Sequence, residues 1–295
     1  MPAALPASPE LLARTQRNLV VIHWRCLEQG PRPRRRDWPG ATALASHLPT
    51  EATNTLFVEA PPDDPARLLA EAREFFDGAP AWRVTAPERL RDAIEPAALS
   101  AGLRPAVVVP RMLLDPLPAA PSLPAGLEIR RVTTAVDLRD FCTAAGRAFQ
   151  IPRWYLRVAF AGGFADAAEG KEPVRLFVGY EAGRPVATAA QATSDGVAGI
   201  FFVGSVPEAR RKGFGGALTW AAIEDGRSLG AQVAWLQSTP MGRPLYERLG
   251  FRWVQNDVDW FALPHGAAKV RLFFRVLALA LARHHTPRPP GPETP

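Results

Sequence analysis

The proline-rich segment Asp115–Gly126 (DPLPAAPSLPAG) constrains the fold of this 295-residue chain more than any other feature. Its prolines at 116, 118, 121 and 124 lack a backbone N–H and have a fixed φ, so neither a helix interior nor a paired strand can pass through them. Such a segment is expected to be stiff and extended. Residues 116–126 are therefore predicted to be a linker between an N-terminal domain, residues 1–115, and a second domain that begins at residue 127.

The hydrophobic pattern after the linker changes repeatedly between helix and strand periodicity. Helices are predicted at 136–149, 153–164, 215–229 and 240–249, and strands at 127–132, 174–180, 186–192, 197–203, 233–237 and 251–261. Short turn-forming segments join the three strands between 174 and 203, so these strands are expected to form an antiparallel meander. The second half is therefore predicted to be a mixed α/β domain of the α+β type that extends to residue 263.

The first half repeats the order of the last five elements of the second half, with a weaker hydrophobic pattern. It begins with a predicted helix at 9–29 and a charged, proline-rich loop at 30–37. A strand, helix, strand, helix and strand follow, at 56–59, 66–76, 82–85, 87–101 and 106–114. The residues AGLRP at 101–105 also occupy the place that LGFRW has at 249–253. These similarities suggest an internal duplication with two tandem copies of one unit, the first of which has lost its loop.

One more helix and a tail are predicted beyond residue 263. The segment 264–285 is assigned to a C-terminal helix, because 269–283 is apolar around most of its circumference, with Arg271 and Arg275 on one side. We expect this helix to pack against the body of the protein or against a second subunit in a homodimer, with a membrane-surface helix as the alternative. The tail, 286–295, has too few apolar residues to pack and is predicted to be disordered.

Composition narrows the location of the protein and its partners. No apolar run approaches the roughly 20 residues that a transmembrane helix needs, and the N-terminus lacks the features of a secretory signal. Cys26 and Cys142 cannot build a disulfide framework and suit a reducing compartment, so a cytoplasmic location is predicted. The histidines show no metal-ligand spacing, and no metal site is predicted.

The net charge of +6 lies entirely after the linker. Four arginines within 32–36 form the densest basic run, which is the kind of sequence that can contact nucleic acid. No aromatic stacking platform accompanies this run, so a solvated loop is favoured and no nucleic-acid partner is predicted.

The segment Val206–Leu218 (VPEARRKGFGGAL) carries the strongest chemical signal and lies between a predicted strand and a predicted helix. Its glycines let the backbone approach a ligand closely, and successive N–H groups at a helix N-terminus attract anions. Leu218 stands where a dinucleotide fingerprint needs its third glycine, and a P-loop would need Gly-Lys-Ser/Thr after four intervening residues. The remaining pattern, Arg210-x-x-Gly213-x-Gly215, predicts a site for a phosphate-bearing ligand.

This loop, preceded by Pro207, resembles the pyrophosphate loop of the GNAT superfamily of acyl-CoA-dependent N-acyltransferases. The segment Leu245–Phe251 (LYERLGF) is similar to a second familiar segment of that family, a short helix with a tyrosine that ends at Gly-Phe. The resemblance covers 127–263. It implies a mostly antiparallel sheet flanked by helices, acetyl-CoA as cosubstrate without a metal, and transfer of an acetyl or other acyl group to an amine.

The resemblance also implies which residues act. The backbone of Val203–Val206 would bind the pantetheine arm like an added strand, amides from Arg211 to Gly216 would hold the pyrophosphate, and the Tyr246 phenol would protonate the departing thiolate. Thr239 stands where the family often has an asparagine and is predicted to cap a helix that starts at Pro240. The implied CoA-binding residues are Val203, Gly204, Ser205, Val206, Arg210, Arg211, Lys212, Gly213, Phe214, Gly215, Gly216 and Thr239.

The acceptor, an amine-bearing small molecule or peptide, is not identified by the sequence. Asp257 and Asp259 share one face of the last strand and are candidates for a base, although a solvated strand face is the favoured interpretation. The absence of a clear base leaves a non-catalytic CoA-binding sensor or interaction module as the alternative function. The first half has two aspartates at Pro61–Pro65, where its phosphate loop would fall, and is expected not to bind CoA.

Overall fold

The computed structural model describes residues 7–28, 32–46, 51–77, 79, 81–160 and 174–262. The C-terminal helix at 264–285, its predicted role in a homodimer and the tail at 286–295 fall outside the described residues, as does the end of the helix predicted at 153–164. The helices are α1 (Pro9–Leu27), α2 (Pro65–Phe75), α3 (Arg91–Ser100), α4 (Ala135–Phe149), α5 (Arg153–Ala159), α6 (Phe214–Ser228) and α7 (Arg243–Arg248).

The strands are β1 (Arg34–Trp38), β2 (Ala41–Ala45), β3 (Thr55–Val58), β4 (Trp82–Pro87), β5 (Arg104–Leu114), β6 (Leu127–Arg131), β7 (Arg175–Glu181), β8 (Arg184–Ser194), β9 (Val197–Ser205), β10 (Val233–Gln237) and β11 (Arg252–Ala262). They form one sheet in the order β1-β2-β3-β4-β11-β5-β10-β9-β8-β7-β6. Only the pairs β3–β4 and β9–β10 are parallel in this sheet. The predicted class, a mixed α/β fold with a mostly antiparallel sheet flanked by helices, is confirmed.

Local sequence signals explain where many elements begin and turn. Thr134 caps α4 in a capping box with Asp137, each side chain accepting a hydrogen bond from the other residue's backbone N–H. The hairpins of the β7–β8–β9 meander turn at Ala182-Gly183 and Asp195-Gly196, all with positive φ. Two-residue hairpin turns of this kind match the twist of the strands they join. The meander predicted from turn residues is thus confirmed.

The two halves of the chain exchange strands at the centre of the sheet. Strand β11, from the second half, lies between β4 and β5, and it pairs with β5 from Arg252↔Leu113 to Phe261↔Arg104. Strand β5, from the first half, in turn lies between β11 and β10. The segments on either side of the proline-rich linker therefore share interior strands of one sheet and are linked by backbone hydrogen bonds as well as by the chain.

The first half departs from the sequence-based prediction at its N-terminal strands. Residues 34–37, predicted to lie in a loop, form β1, and its partner β2 was not predicted at all. Strand β1 lies at one edge of the sheet and four of its five residues are exposed, so it carries no hydrophobic alternation to indicate a strand. Positive charges on an edge strand disfavour pairing with a further strand, which suits arginines at this place.

Separate cores cover the two faces of the second half of the sheet. Side chains from α1, α4 and α5 pack on one face, around Phe141, Leu156 and Trp235. Side chains from α6 and the Tyr246 ring of α7 pack on the other face, around Leu218 and Ile223. The N-terminal helix therefore covers strands of the second half and lies opposite the helix that follows the glycine-rich loop.

Candidate active site

Strands β9 and β10 separate after a short parallel pairing. They pair only from Val197↔Val233 to Gly199↔Trp235, and β9 then continues to Ser205 without β10 beside it. Within the described residues no other strand takes that place, so the backbone of 200–205 faces an opening in the sheet. An extended ligand can add to such an open edge as a strand would.

A bulge interrupts β9 inside this opening. The register with β8 shifts between Thr188↔Gly204 and Ala190↔Phe201, and Phe202 has a φ of +51°. The consecutive residues Phe201 and Phe202 consequently pack against the same core, where a regular strand would place them on opposite faces. The bulge changes the direction of the backbone next to the opening, as β-bulges often do at functional sites.

The glycine-rich loop ends in a helix N-terminus whose amides are available. Gly213, at φ +81°, occupies the N-cap position of α6, and no side chain of the described residues caps the helix. The first intrahelical bond runs from the Ala217 N–H to the Gly213 carbonyl at 3.1 Å, so the amides of residues 214–216 lack intrahelical partners. Free amides and the positive end of the helix dipole form an anion-binding site.

The basic side chains of the loop differ in the ion pairs and hydrogen bonds that they form within the protein. The Lys212 Nζ lies 2.7 Å from a Glu181 carboxylate oxygen, so its charge is paired, and the Arg210 Nε donates to the Ser205 carbonyl at 3.4 Å. Arg211 has a φ of +63° and makes no ion pair or hydrogen bond with the described part of the chain. Arg211 is therefore the loop cation most available to an anionic ligand.

The three glycines of the loop are not equivalent. Gly213 is required by the backbone, because its left-handed conformation is strained for residues with a side chain. A Cβ on Gly215 or Gly216 would lie at ordinary van der Waals distance from its nearest neighbour, 3.4 Å from Leu245 and 3.5 Å from Leu249 respectively. Of the three, only Gly213 therefore has a conformation that requires glycine.

Tyr246 lies beside the loop with its hydroxyl unengaged. The ring is buried, and its edge packs against Phe251 with 5.9 Å between centroids. Its hydroxyl forms no hydrogen bond with any group of the described residues, and burial raises the pKa of the phenol to about 12. The phenol is therefore fully protonated at neutral pH and keeps a proton that it can donate.

Thr239 has a different structural role from the one predicted. Helix α7 begins at Arg243 after Gly242, so Thr239 is not its N-cap and Pro240 is not its first residue. The Thr239 Oγ1 accepts a hydrogen bond from the Gly242 N–H at 3.1 Å. This hydrogen bond stabilises the turn that precedes α7, and the N-cap of the helix is Gly242.

One cavity of about 1160 Å³ passes through the sheet at the β9–β10 opening. On the α6 side its lining includes Gly213, Gly215 and Tyr246, and on the α1 side it includes Ile22 and Phe160. All of the implied CoA-binding residues except Val206 and Lys212 line it, namely Val203, Gly204, Ser205, Arg210, Arg211, Gly213, Phe214, Gly215, Gly216 and Thr239. The structure thus brings the loop, the open strand edge and Tyr246 to one cavity.

Neither candidate aspartate lies on a solvated strand face. Asp257 is fully buried and bonds to Arg111, whose Nε and Nη2 lie 3.0 Å and 2.9 Å from its Oδ2. Asp259 accepts a hydrogen bond from Thr85 at 2.7 Å and pairs with Arg83 at 3.3 Å. The favoured interpretation was therefore wrong, because β11 is an interior strand. Asp257 links β11 to β5 and Asp259 links β11 to β4, and neither carboxylate lines the cavity.

The contribution of α1 to the cavity was not predicted from the sequence. His23 lines the cavity, its Nδ1 bonds to the Leu19 carbonyl at 2.9 Å and its Nε2 lies 3.2 Å from an Arg83 guanidinium nitrogen. Burial, with the nearby Arg83 charge, lowers the pKa of His23 to about 4, so the ring is neutral at neutral pH. The amphipathic pattern of α1 indicates a buried face, but not that this face packs on strands more than 160 residues away.

The loop between the first parallel strand of the first half and its helix carries a carboxylate cap. It lies between β3 and α2, and β3 pairs in parallel with β4, as β9 does with β10. The Asp64 carboxylate caps α2 by accepting a hydrogen bond from the Arg67 N–H at 2.9 Å. A carboxylate thus occupies the helix N-terminus that a phosphate would need.

Residues 140–251 match the model of the acetyltransferase (GNAT) family. They include both the glycine-rich loop and Tyr246, so the resemblance drawn from these segments is confirmed. This match over 140–251 supports an acyltransferase activity. A search of the curated proteins found no match.

Solved structures share the fold over most of the chain. A GCN5-related N-acetyltransferase from Kribbella flavida has a TM-score of 0.64 at 22% identity, covering 86% of this chain and 96% of that one. One from Sphaerobacter thermophilus has a TM-score of 0.56 at 18% identity, covering 76% and 80%. A tandem GNAT protein from the clavulanic acid biosynthesis pathway has a TM-score of 0.50 at 16% identity, covering 88% and 97%. At these identities the likeness shows the fold.

The described residues contain no group of three or more His, Cys, Asp or Glu side chains that could hold a metal ion. None of the helices in the described ranges combines the length and apolar character needed to cross a membrane.

Proposed function

We propose that this protein is an N-acetyltransferase that transfers the acetyl group of acetyl-CoA to the amine of a small molecule or peptide. One observation carries the proposal: a single cavity joins an uncapped helix N-terminus, an open strand edge and a protonated tyrosine. These features suit, in turn, a pyrophosphate, an extended amide-containing arm and a thiolate leaving group. The GNAT-family match over 140–251 supports the same reaction class.

The residues of the opening fit acetyl-CoA. We assign the pyrophosphate to the amides of Arg211 to Gly216, with the unpaired guanidinium of Arg211 beside them, and the pantetheine arm to the β9 edge at Val203–Val206. A Cβ on Gly204 would lie 2.7 Å from the Phe149 ring, so the strand is already close to α4 there. Lys212 is assigned an indirect role, because Glu181 neutralises its charge.

Acetyl-CoA supplies a thioester whose carbonyl carbon forms the C–N bond with the acceptor amine, while the C–S bond breaks and its electron pair leaves on sulfur. The Tyr246 hydroxyl donates a proton to that sulfur, and the proton lost by the nitrogen restores the phenol through solvent. The net products are an amide and the CoA thiol. A phenol with a raised pKa suits this step, because it stays protonated until the thiolate forms.

We further propose that the chain consists of two tandem copies of one unit, a competent second copy over 127–263 and a degenerate first copy over 1–115. Both halves contain a strand, helix, strand, helix and strand, and both exchange the last strand. Gly102 and Gly250 hold equivalent turns at φ +81° and +93°. The fold likeness to a tandem GNAT protein agrees with this interpretation. The Asp64 cap makes the first copy unsuited to CoA.

A thiol-release assay with acetyl-CoA and a panel of amines tests the proposed reaction. We expect release of the CoA thiol that depends on the amine, with the acetylated amine identified by mass spectrometry. Calorimetric titration with CoA accompanies the assay. Tight CoA binding without turnover on any amine would contradict the enzyme and favour a non-catalytic CoA-binding sensor, whereas absence of CoA binding would contradict both.

A further inference from the structure

The part of the cavity on the α1 side, called the acceptor chamber below, has mostly apolar walls. Its helical wall includes Leu19, Ile22 and Cys26 from α1 and Phe160 after α5, together with the neutral imidazole of His23. The sheet contributes Phe201 and Phe202, which the β9 bulge turns to the same face. The Phe202 ring packs edge-on against Phe160, with 5.0 Å between centroids. A ligand entering the chamber would therefore contact mostly aliphatic and aromatic side chains.

The charges around the cavity distinguish between classes of amine. No aspartate or glutamate lines the cavity among the described residues, so a polycationic amine has no carboxylate to pair with its additional charges. Three of the four charged residues, Arg210, Arg211 and Arg248, belong to the phosphate loop or to α7. The fourth, Arg83, is already paired with Asp259.

We propose that the acceptor is a primary amine carried on an apolar group, aromatic or branched, which binds in the acceptor chamber. This inference rests on the proposed N-acetyltransferase function and names its substrate class. Burying a phenyl or branched alkyl group between α1 and Phe201 contributes binding energy that a polar amine does not gain. The N-terminal helix is then a specificity element of a site whose cosubstrate loop lies in the second half.

The same chamber helps the amine to react. Attack on the thioester needs the neutral amine, and transfer into apolar surroundings lowers the pKa of an ammonium group because the charged form loses hydration. The ammonium gives up its proton to solvent on entry, and the second N–H proton leaves after the C–N bond forms. This desolvation reduces the need for a carboxylate base, and the described lining of the cavity contains none.

The test compares kcat/KM, expressed on the concentration of the neutral form of each amine, with the full-length protein and saturating acetyl-CoA. The probes are 2-phenylethylamine and 3-methylbutylamine as apolar amines, ethylamine as a small amine, and spermidine as a polycation. We expect at least about a tenfold preference for the two apolar amines over ethylamine, from the area that their side chains bury. Spermidine should be the poorest substrate.

Substitutions at Cys26 locate the preference in the chamber. Cys26→Phe fills space next to α1 and should lower kcat/KM for 2-phenylethylamine at least about tenfold more than it lowers kcat/KM for ethylamine, which needs less of that space. Cys26→Ala is the matched control and should keep the wild-type preference. If Cys26→Phe does not fold, Cys26→Leu provides a smaller increase in volume at the same position.

The outcomes separate the two proposals. Equal or faster turnover of spermidine or ethylamine would overturn the apolar acceptor and leave the N-acetyltransferase intact. An unchanged preference in folded Cys26→Phe would overturn the assignment of the chamber. Absence of turnover on every amine, with CoA binding retained, would instead overturn the proposed function and this inference with it.

Discussion

At the scale of single residues, the surroundings of a tyrosine determine whether its hydroxyl is available to a ligand. Tyr246 and Tyr180 both have a pKa raised to about 12, and burial is the first cause in each. Tyr180 donates a hydrogen bond to Asp140 at 3.2 Å, whereas the Tyr246 hydroxyl has no partner among the described residues. Of these two phenols, Tyr246 is the one that lines the cavity and can donate its proton to a ligand.

Replacement of Tyr246 by phenylalanine tests this role directly. We expect kcat to fall about 100-fold, the lower range for loss of a general acid, with little change in the KM for acetyl-CoA. Stability should change little, because no hydrogen bond of the described residues is lost. Steady-state kinetics and thermal unfolding measure the two effects, and an unchanged kcat would remove the general-acid assignment.

Since the pKa of the phenol is about 12, its ionisation should leave the wild-type rate unaffected up to about pH 10.

The sequence predicted Tyr246 but misjudged Asp257, and the difference has a physical reason. The tyrosine belongs to a local motif within seven residues, whereas the surroundings of Asp257 come from β5, α1 and β10. Arg111, whose guanidinium also bonds to Thr15 and Gln16, is fully buried against that carboxylate. No pattern local to β11 indicates that an arginine 146 residues away neutralises the aspartate.

At the scale of elements, the N-terminus of α6 is the feature on which the proposed cosubstrate site depends. Its N-cap conformation requires Gly213 at φ +81°. Gly230, directly beyond the other end of α6, has a φ of +88° with open space around its Cα. The two glycines therefore have the same conformational requirement, and only the first lines the cavity.

This pair provides a matched test of the loop. Gly213→Ala and Gly230→Ala should each destabilise the protein by about 1 kcal/mol, because alanine is strained at positive φ. Gly213→Ala should in addition raise the KM for acetyl-CoA at least severalfold, whereas Gly230→Ala should leave it unchanged. Thermal unfolding and steady-state kinetics give the two values. Equal kinetic effects from both variants would show that the loop acts through stability alone.

Elements with a strong local period were predicted well, and elements defined by distant partners were not. Strand β10 was predicted with the bounds that it has, and α6 to within one residue at each end. Strands β1 and β2 were missed because an exposed, arginine-rich edge strand lacks the alternation that marks a half-buried strand. The opening between β9 and β10 was not predicted, since hydrophobic periodicity carries no information on where two strands diverge; the family resemblance implied only that an arm would bind at Val203–Val206 like an added strand.

At the scale of the whole molecule, the exchange of β5 and β11 makes the two halves depend on each other. Removal of either half would take a strand from the interior of the remaining sheet and expose the backbone of its neighbours. The central pair also buries the Arg111–Asp257 ion pair, which would lose one partner. Breaking such a buried pair is strongly destabilising.

Cleavage of the linker tests this dependence in the intact protein. A protease site placed at Ala119–Ala120, where both residues are exposed, should be cut without separation of the fragments. We expect the cleaved protein to sediment as one species, to unfold in one thermal transition and to separate only in denaturant. Dissociation into two folded fragments under native conditions would contradict a shared central sheet.

The strand exchange also bears on how such a chain can evolve. Under the proposed duplication, a first copy without a ligand of its own would ordinarily be free to accumulate substitutions and then be deleted. The pairing of β5 with β10 and β11 opposes such a deletion, because truncation of the first half would remove a strand next to the proposed active site. We therefore expect the residues around Asp64 to vary among descendants of this gene, while the length and apolar character of β5 persist.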